Sequence, residues 1–214
     1  MFQPNDLLLF QGDSITDAFR KPEEVGTSYR LGAGYAMICA ARLAAERPDL
    51  NLRFDNRGVS GRSLKQMARR WREDAIEVEP DVLSVLIGVN DTLQAIGNPD
   101  RETPEAYASF VNRYAELLNA VREKRPRVRF ILLEPFLLKT GRITDEHLEN
   151  LAPRQQAVRE LAGRYDAAFV PLQERFSDAA AETGPDYWLF DGIHPNASGQ
   201  WLIATAWWDA VGLG

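Results

Sequence analysis

Cysteine and histidine are scarce in this 214-residue chain: it has one cysteine, Cys39, and two histidines, His147 and His194. A lone cysteine excludes an intrachain disulfide and gives no support for a secreted, bridge-stapled scaffold. Cys39 lies in the apolar run Met37-Ile38-Cys39-Ala40-Ala41, where a small buried thiol is expected. Long apolar stretches are also missing. No window approaches eighteen consecutive apolar residues, so no transmembrane helix is expected. The opening residues MFQPNDLLLFQGDS lack the basic flank and the apolar length of a secretory signal, so the expected location is cytoplasmic. There is no internal repeat, low-complexity tract or Ser/Gly-rich linker, which predicts one domain over residues 1–214. Nor is there an excess of positive charge. With 25 Lys and Arg against 31 Asp and Glu the net charge is −6, which speaks against a nucleic-acid partner. The one basic cluster, Arg69, Arg70 and Arg72, reads as a solvated helix face.

What the chain does have is enough apolar residue, 45%, to fill a core, with 26% charged residues to keep the surface wet. Five short apolar runs read as buried parallel strands: Leu7–Phe10, Leu52–Asp55, Val82–Ile87, Val128–Leu133 and Ala167–Val170. Helical patterns lie between them. Leu64, Met67, Ala68, Trp71 and Ala75 recur at helical spacing behind Ser63 as N-cap. Thr103-Pro104 opens a second helix with a cap and a first-turn proline. Its apolar face is Tyr107, Phe110, Val111, Tyr114, Leu118 and Val121. Residues 144–164 form a third, with Pro153 marking a start or a kink. The last runs from about Ala197 to Val211. Alternating strands and helices predict an α/β fold: a three-layer α/β/α sandwich on a five-stranded parallel sheet, flavodoxin-like. Ligands of such sheets bind beyond the carboxyl ends of the strands.

Polar residues and glycines gather at those ends. The first strand runs into Gly12-Asp13-Ser14-Ile15-Thr16, the second into Asn56-Arg57-Gly58-Val59-Ser60-Gly61 and the third into Gly88-Val89-Asn90-Asp91. Asp191-Gly192-Ile193-His194-Pro195 precedes the last helix. Acyl transfer needs a serine whose proton is taken by a base, usually histidine. His147 falls in the first turn of a polar helix face and reads as an ordinary surface residue, which leaves His194. Asp191, three residues before it, is placed to bond the second imidazole nitrogen; the pair could equally cap a turn. Ser14 sits just past a strand, and its N–H would point at a developing oxyanion; it could also be a plain N-cap. Asp13 reads as structural, bonding turn amides. Gly61 can offer an unobstructed N–H and Asn90 its side-chain amide, so three donors are available for an oxyanion.

Taken in order, GDSIT, the last glycine of NRGVSG, GVND and DGIHP resemble the four sequence blocks of the SGNH hydrolases, the GDSL esterase/lipase family. The resemblance spans residues 7 to 200. It implies Ser14 as nucleophile, Asp191 and His194 as the acid–base pair, and Ser14, Gly61 and Asn90 as the oxyanion hole. It also implies a mechanism with no metal and no cofactor. One departure is Ile15, where the family name implies leucine. Leu31-Gly32-Ala33-Gly34-Tyr35, Arg70-Trp71 and Gly88-Val89-Asn90-Asp91 are similar to the intracellular acetylxylan esterases of that family.

The expected partner is thus a small-molecule ester, an acetylated sugar such as a xylo-oligosaccharide; a general short-chain carboxylesterase or thioesterase would share the same residues. No segment remains for a large apolar lid. Asp17–Gly34 could form one wall of the site, and Trp188 or Phe190 could line a sugar subsite, with a core role as the alternative. The metal-type residues Asp13, Asp17, Asn90, Asp91, Asp191 and His194 leave a metallophosphoesterase as a minor reading, and a sugar-binding protein that keeps the fold is a third. The last helix is apolar almost all round, with Trp201 and Trp208 on one face, which predicts a homo-oligomer.

Overall fold

The computed structural model of the protein describes residues 1–98 and 103–213. Its centre is an all-parallel sheet of five strands: β1 (Leu7–Gly12), β2 (Arg53–Asn56), β3 (Val82–Leu86), β4 (Arg129–Leu133) and β5 (Ala168–Val170), in the order β2-β1-β3-β4-β5. The strands alternate their side chains between two cores. Leu8, Phe10, Val82, Leu86, Ile131 and Leu133 point to one face, and Leu9, Leu83, Val85, Phe130 and Leu132 to the other. Both faces are apolar because both are covered by helices.

The helices are α1 (Ser14–Asp17), α2 (Tyr35–Glu46), α3 (Leu64–Ala68), α4 (Val89–Ala95), α5 (Pro104–Lys124), α6 (Asp145–Tyr165), α7 (Gln173–Thr183) and α8 (Ala197–Ala210). α2, α7 and α8 supply the first core through Cys39, Leu43, Phe176, Ile203 and Trp207. α3, α5 and α6 supply the second through Met67, Tyr114, Leu118, Val158 and Leu161. The result is the expected three-layer α/β/α sandwich.

Local chemistry sets the helix ends. Ser63 caps α3 in a reciprocal box with Gln66, and Thr103 caps α5 by accepting from the Ala106 N–H at 3.2 Å. Thr144 caps α6 with His147, whose ring accepts from the Thr144 N–H, so His147 has a structural post. α6 runs unbroken through Pro153. The helix read from Leu64 to Ala75 is interrupted: α3 stops at Ala68 and a wide turn follows over Arg72–Ile76, closed by the Glu77 N–H on the Arg72 carbonyl at 2.8 Å. Met67, Trp71 and Ala75 remain on one buried stripe, and the Trp71 indole donates to the Leu117 carbonyl at 2.9 Å.

α8 is apolar on several faces because α2 packs beside it as well as the sheet. Trp207 is fully buried, stacks on Phe2 and donates to the Ser84 hydroxyl of β3 at 3.1 Å. Arg42 of α2 lies 4.2 Å over the Trp208 ring, leaving Trp201 as the exposed aromatic of the helix. No described helix is long and apolar enough to cross a membrane.

Candidate active site

Strand order decides which loops meet. β1 lies between β2 and β3, so the segments leaving their carboxyl ends are neighbours, with Ser14 in the middle. Ser14 is the first residue of α1. Asp13 caps that turn, its Oδ1 accepting from the Ile15 N–H at 3.1 Å. That bond to the Ile15 amide gives Asp13 a structural part in the turn.

The loop after β2 is tied on both sides. The Val59 N–H donates to Gly12 O, and the Ser60 N–H and hydroxyl both donate to Asp17 Oδ2, at 3.0 and 2.6 Å. Beyond it, the Leu64 N–H donates to Asp91 Oδ2 at 2.9 Å. Gly61, between these ties, has φ +75°, a left-handed conformation that glycine adopts without strain. The N–H groups of Ser14 and Gly61 have no acceptor among the described residues, and both residues line one cavity of about 580 Å³. Asn90, at the start of α4, lines the same cavity. Its amide makes two long contacts, 3.3 Å to Asp13 Oδ2 and 3.3 Å to Arg62 O. Those bonds hold the amide in place but are weak enough for a better acceptor to displace.

The segment before α8 folds back on itself: the Phe190 N–H donates to His194 O, Leu189 bridges Pro195, and the Asn196 N–H donates to Trp188 O. Gly192, at φ +83°, makes the turn, and a Cβ there would come within 2.6 Å of the Leu138 and Thr140 carbonyls. Asp191 is thereby held under His194. Its Oδ1 accepts the N–H groups of Ile193 and His194 at 3.0 and 2.8 Å, and its Oδ2 lies 2.8 Å from His194 Nδ1. Burial pushes the Asp191 carboxyl up, but the donors from His194 and Ile193 outweigh it and hold the pKa below the usual carboxylate range. An ionised carboxylate only accepts, so Nδ1 carries the proton and Nε2 is free to accept. Nε2 lies 2.8 Å from the Ser14 hydroxyl. Asp13, by contrast, is raised to about 7, because burial exceeds the lowering by the Ile15 N–H, His194 and Asn90.

The structure therefore brings Ser14, Gly61, Asn90, Asp191 and His194 to one place. Phe190 stands at the cavity, 67% exposed, its ring stacked on the His194 imidazole with centroids 5.7 Å apart. Trp188 is not on the cavity wall. It is half-buried against the core, its indole donating to Thr183 Oγ1 at 2.8 Å, because its helical backbone, φ −108° and ψ −44°, closes the Pro185–Tyr187 turn and directs it away from the side that Phe190 takes. Phe19 is a wall residue that sequence reading did not single out. It is 93% exposed at the cavity mouth. Ala18 and Phe19 both have positive φ, 40° and 60°, an unfavourable conformation for side chains of this kind that often marks a functional site. Ala18, Phe19 and Ala33 together make the wall expected of the stretch after Asp17. The metal-type residues disperse: Asp17 serves Ser60 and Asp91 serves Leu64. Among the described residues no three His, Cys, Asp or Glu groups converge to hold an ion.

The chain resembles known proteins in sequence and fold. The chain matches the GDSL-like lipase/acylhydrolase family over residues 10–202. It is 32% identical over 208 residues to the acetylxylan esterase of Geobacillus stearothermophilus, covering 96% of this chain and 94% of the relative. A solved structure of an acetyl xylan esterase from that organism superposes with a TM-score of 0.86 at 29% identity, covering 99% of this chain and 97% of that one. A protein from Parabacteroides merdae, described as a GDSL-like lipase, gives 0.92 at 34% identity, covering 100% and 99%. The chain belongs to the GDSL-like lipase/acylhydrolase family. It is a carboxylic ester hydrolase, and its sheet is that of the SGNH hydrolases.

Proposed function

We propose that the protein is a single-domain serine esterase that removes acetyl groups from sugars, xylo-oligosaccharides foremost. The observation that carries the serine chemistry is the continuous run of bonds from the Ser14 hydroxyl through His194 to Asp191, opening on a cavity where the Ser14 and Gly61 N–H groups are unspent. His194 takes the Ser14 proton as the hydroxyl oxygen attacks the ester carbonyl. The N–H groups of Ser14 and Gly61 and the Asn90 amide hold the oxyanion. His194 then protonates the leaving alcohol, and water activated by the same imidazole releases acetate from Ser14.

Similarity to an acetylxylan esterase supports the sugar reading, as do the two exposed rings, Phe19 and Phe190, at the cavity. Aromatic faces pack well on sugar rings, and Phe190 lies beside the base. The test is a rate comparison across p-nitrophenyl acetate, butyrate and octanoate, acetylated xylobiose and an acetyl-thioester. The acetate and the acetylated sugar are expected to lead in kcat/KM. A lead for octanoate or the thioester overturns the substrate and leaves a general carboxylesterase or thioesterase.

The proposed state is a homo-oligomer built on α2 and α8, where Met37, Ile38, Trp201 and Trp208 line a shallow apolar cavity of about 730 Å³. A monomeric mass in light scattering at micromolar concentration removes it. The proposed location is the cytoplasm; the single thiol, Cys39, is buried, and burial pushes its pKa up, so it is kept from redox chemistry.

A further inference from the structure

The three arginines of the basic cluster have different fates. Arg70 pairs with Asp74 at 2.5 Å and Arg72 with Glu77 at 2.8 Å. Arg69 makes no ion pair among the described residues and turns instead to a second cavity, of about 330 Å³. Lys65 beside α3's start, Arg113 of α5 and Arg154 of α6 reach the same space. None of these four cations has an ion-pair partner among the described residues, although the chain as a whole is acidic. One carboxylate, Asp91, shares the wall, and its Oδ2 is engaged by the Leu64 N–H.

Arg154 is the telling member. It is only 4% exposed. One of its terminal nitrogens donates to Asn150 O and Oδ1 at 2.8 and 2.7 Å, and its guanidinium lies 4.9 Å over the Tyr107 ring. Its Nε is buried and has no hydrogen-bond partner among the described residues. A buried guanidinium with no carboxylate in ion-pair contact, the Asp91 charge on the same wall acting on it only at longer range, carries a desolvation cost that this charge and the ring contact offset only in part. Three further cations converging on it add repulsion. An anion in the cavity would relieve both.

We propose that this cavity, walled by Lys65, Arg69, Arg113 and Arg154, binds a multiply charged oxyanion of the phosphate or sulfate type. It is distinct from the esterase cavity: the two share no lining residue. The recognition is that of planar guanidinium donors for tetrahedral oxyanions. The space exceeds that of one such group and leaves room for an organic moiety carrying it. The proposal does not depend on the sugar-ester reading.

The test is calorimetric titration of the whole protein with sodium sulfate at constant ionic strength, run on the parent, Arg69→Ala and Arg113→Ala. Both substitutions spare the buried Arg154 and remove side chains that are exposed or half-buried; unchanged p-nitrophenyl acetate turnover, within about twofold, checks that the fold is intact. Saturable one-to-one binding in the parent, weakened about tenfold or more in each variant, is the expected result. It persists after a fluorophosphonate blocks Ser14. Absence of saturable binding in the parent, affinity in either variant equal to the parent's, or loss of binding on blocking Ser14 overturns the proposal.

Discussion

The Ser14 hydroxyl lies 2.8 Å from His194 Nε2, although 180 residues separate them in the chain. Two anchors set that distance. Ser14 hangs from the end of β1 through the Asp13 cap. His194 hangs from the start of α8, which is fixed by Trp207 against Phe10 and Ser84 and by Gln200 Oε1, which accepts from the Tyr35 N–H at 2.8 Å. The pair meets because the carboxyl end of an interior strand and a helix are both packed, not because the loops attract one another.

If the three residues act as a unit, their losses do not multiply. Ser14→Ala and His194→Ala are each expected to lower kcat on p-nitrophenyl acetate by about 10⁴-fold or more, and the double variant by little beyond either. Asp191→Asn is expected to cost about 10⁴ by favouring the wrong tautomer. A double variant whose loss is the product of the two single losses contradicts the assignment.

Asn90 is expected to act on the transition state. Asn90→Ala should lower kcat roughly 10²- to 10³-fold with little change in KM, because the amide bond strengthens as the oxyanion forms. Steady-state kinetics separate the two constants, and a KM effect with kcat preserved would place Asn90 in ground-state binding instead.

Phe19→Ala and Phe190→Ala should each raise KM for acetylated xylobiose several-fold while leaving p-nitrophenyl acetate nearly unchanged. Trp188→Ala, away from the wall, serves as the control and should leave both KM values alone. Equal effects on the two substrates would mean that the rings shape the loop rather than hold a sugar.

Asp13 gives a stability test with a defined sign. Its native pKa of about 7 lies above the ordinary 3.8, so the fold keeps a proton that the unfolded chain has released. Its contribution is full below about pH 3.8 and is lost as pH rises through about 7. Asp13→Asn keeps an acceptor for the Ile15 N–H and does not titrate. The unfolding free energy of the variant relative to the parent is therefore expected to climb between pH 4 and pH 7.5 in urea denaturation, and a flat difference contradicts the burial argument.

Trp207→Ala removes the largest fully buried side chain and leaves Ser84 without its donor. A loss of about 3–5 kcal/mol is expected, read as a lower denaturation midpoint. A near-neutral change would show that α8 is held by other contacts.

Much of the fold was legible because strands buried on both faces read as short apolar runs, and because Ser63, Thr103 and the glycine of DGIHP mark element ends by local chemistry. The candidate site was legible because each residue sits at a strand end or a turn where polar groups stand out from the core. Phe19 was not legible: its exposure rests on two consecutive left-handed residues, Ala18 and Phe19, and no turn rule places alanine and phenylalanine there. The choice between Trp188 and Phe190 turned on the helical backbone of Trp188 at the end of the Pro185–Tyr187 turn, a conformation that composition does not encode. Arg69 looked like its neighbours because all three stand in one basic run; Arg70 and Arg72 pair locally with Asp74 and Glu77, and only Arg69 of the three faces the cavity that α5 and α6 help to close. The covering of α8 by α2 was equally hidden, since it depends on helix packing on one face of the sheet.

The central claim is that Ser14, activated by His194, is the group that takes the acyl. The most direct measurement is mass spectrometry of the protein after reaction with a fluorophosphonate. One adduct per chain, on the peptide carrying Ser14 and formed far more slowly in His194→Ala, is the result expected. An adduct on another serine, or none while the protein still hydrolyses p-nitrophenyl acetate, would contradict it.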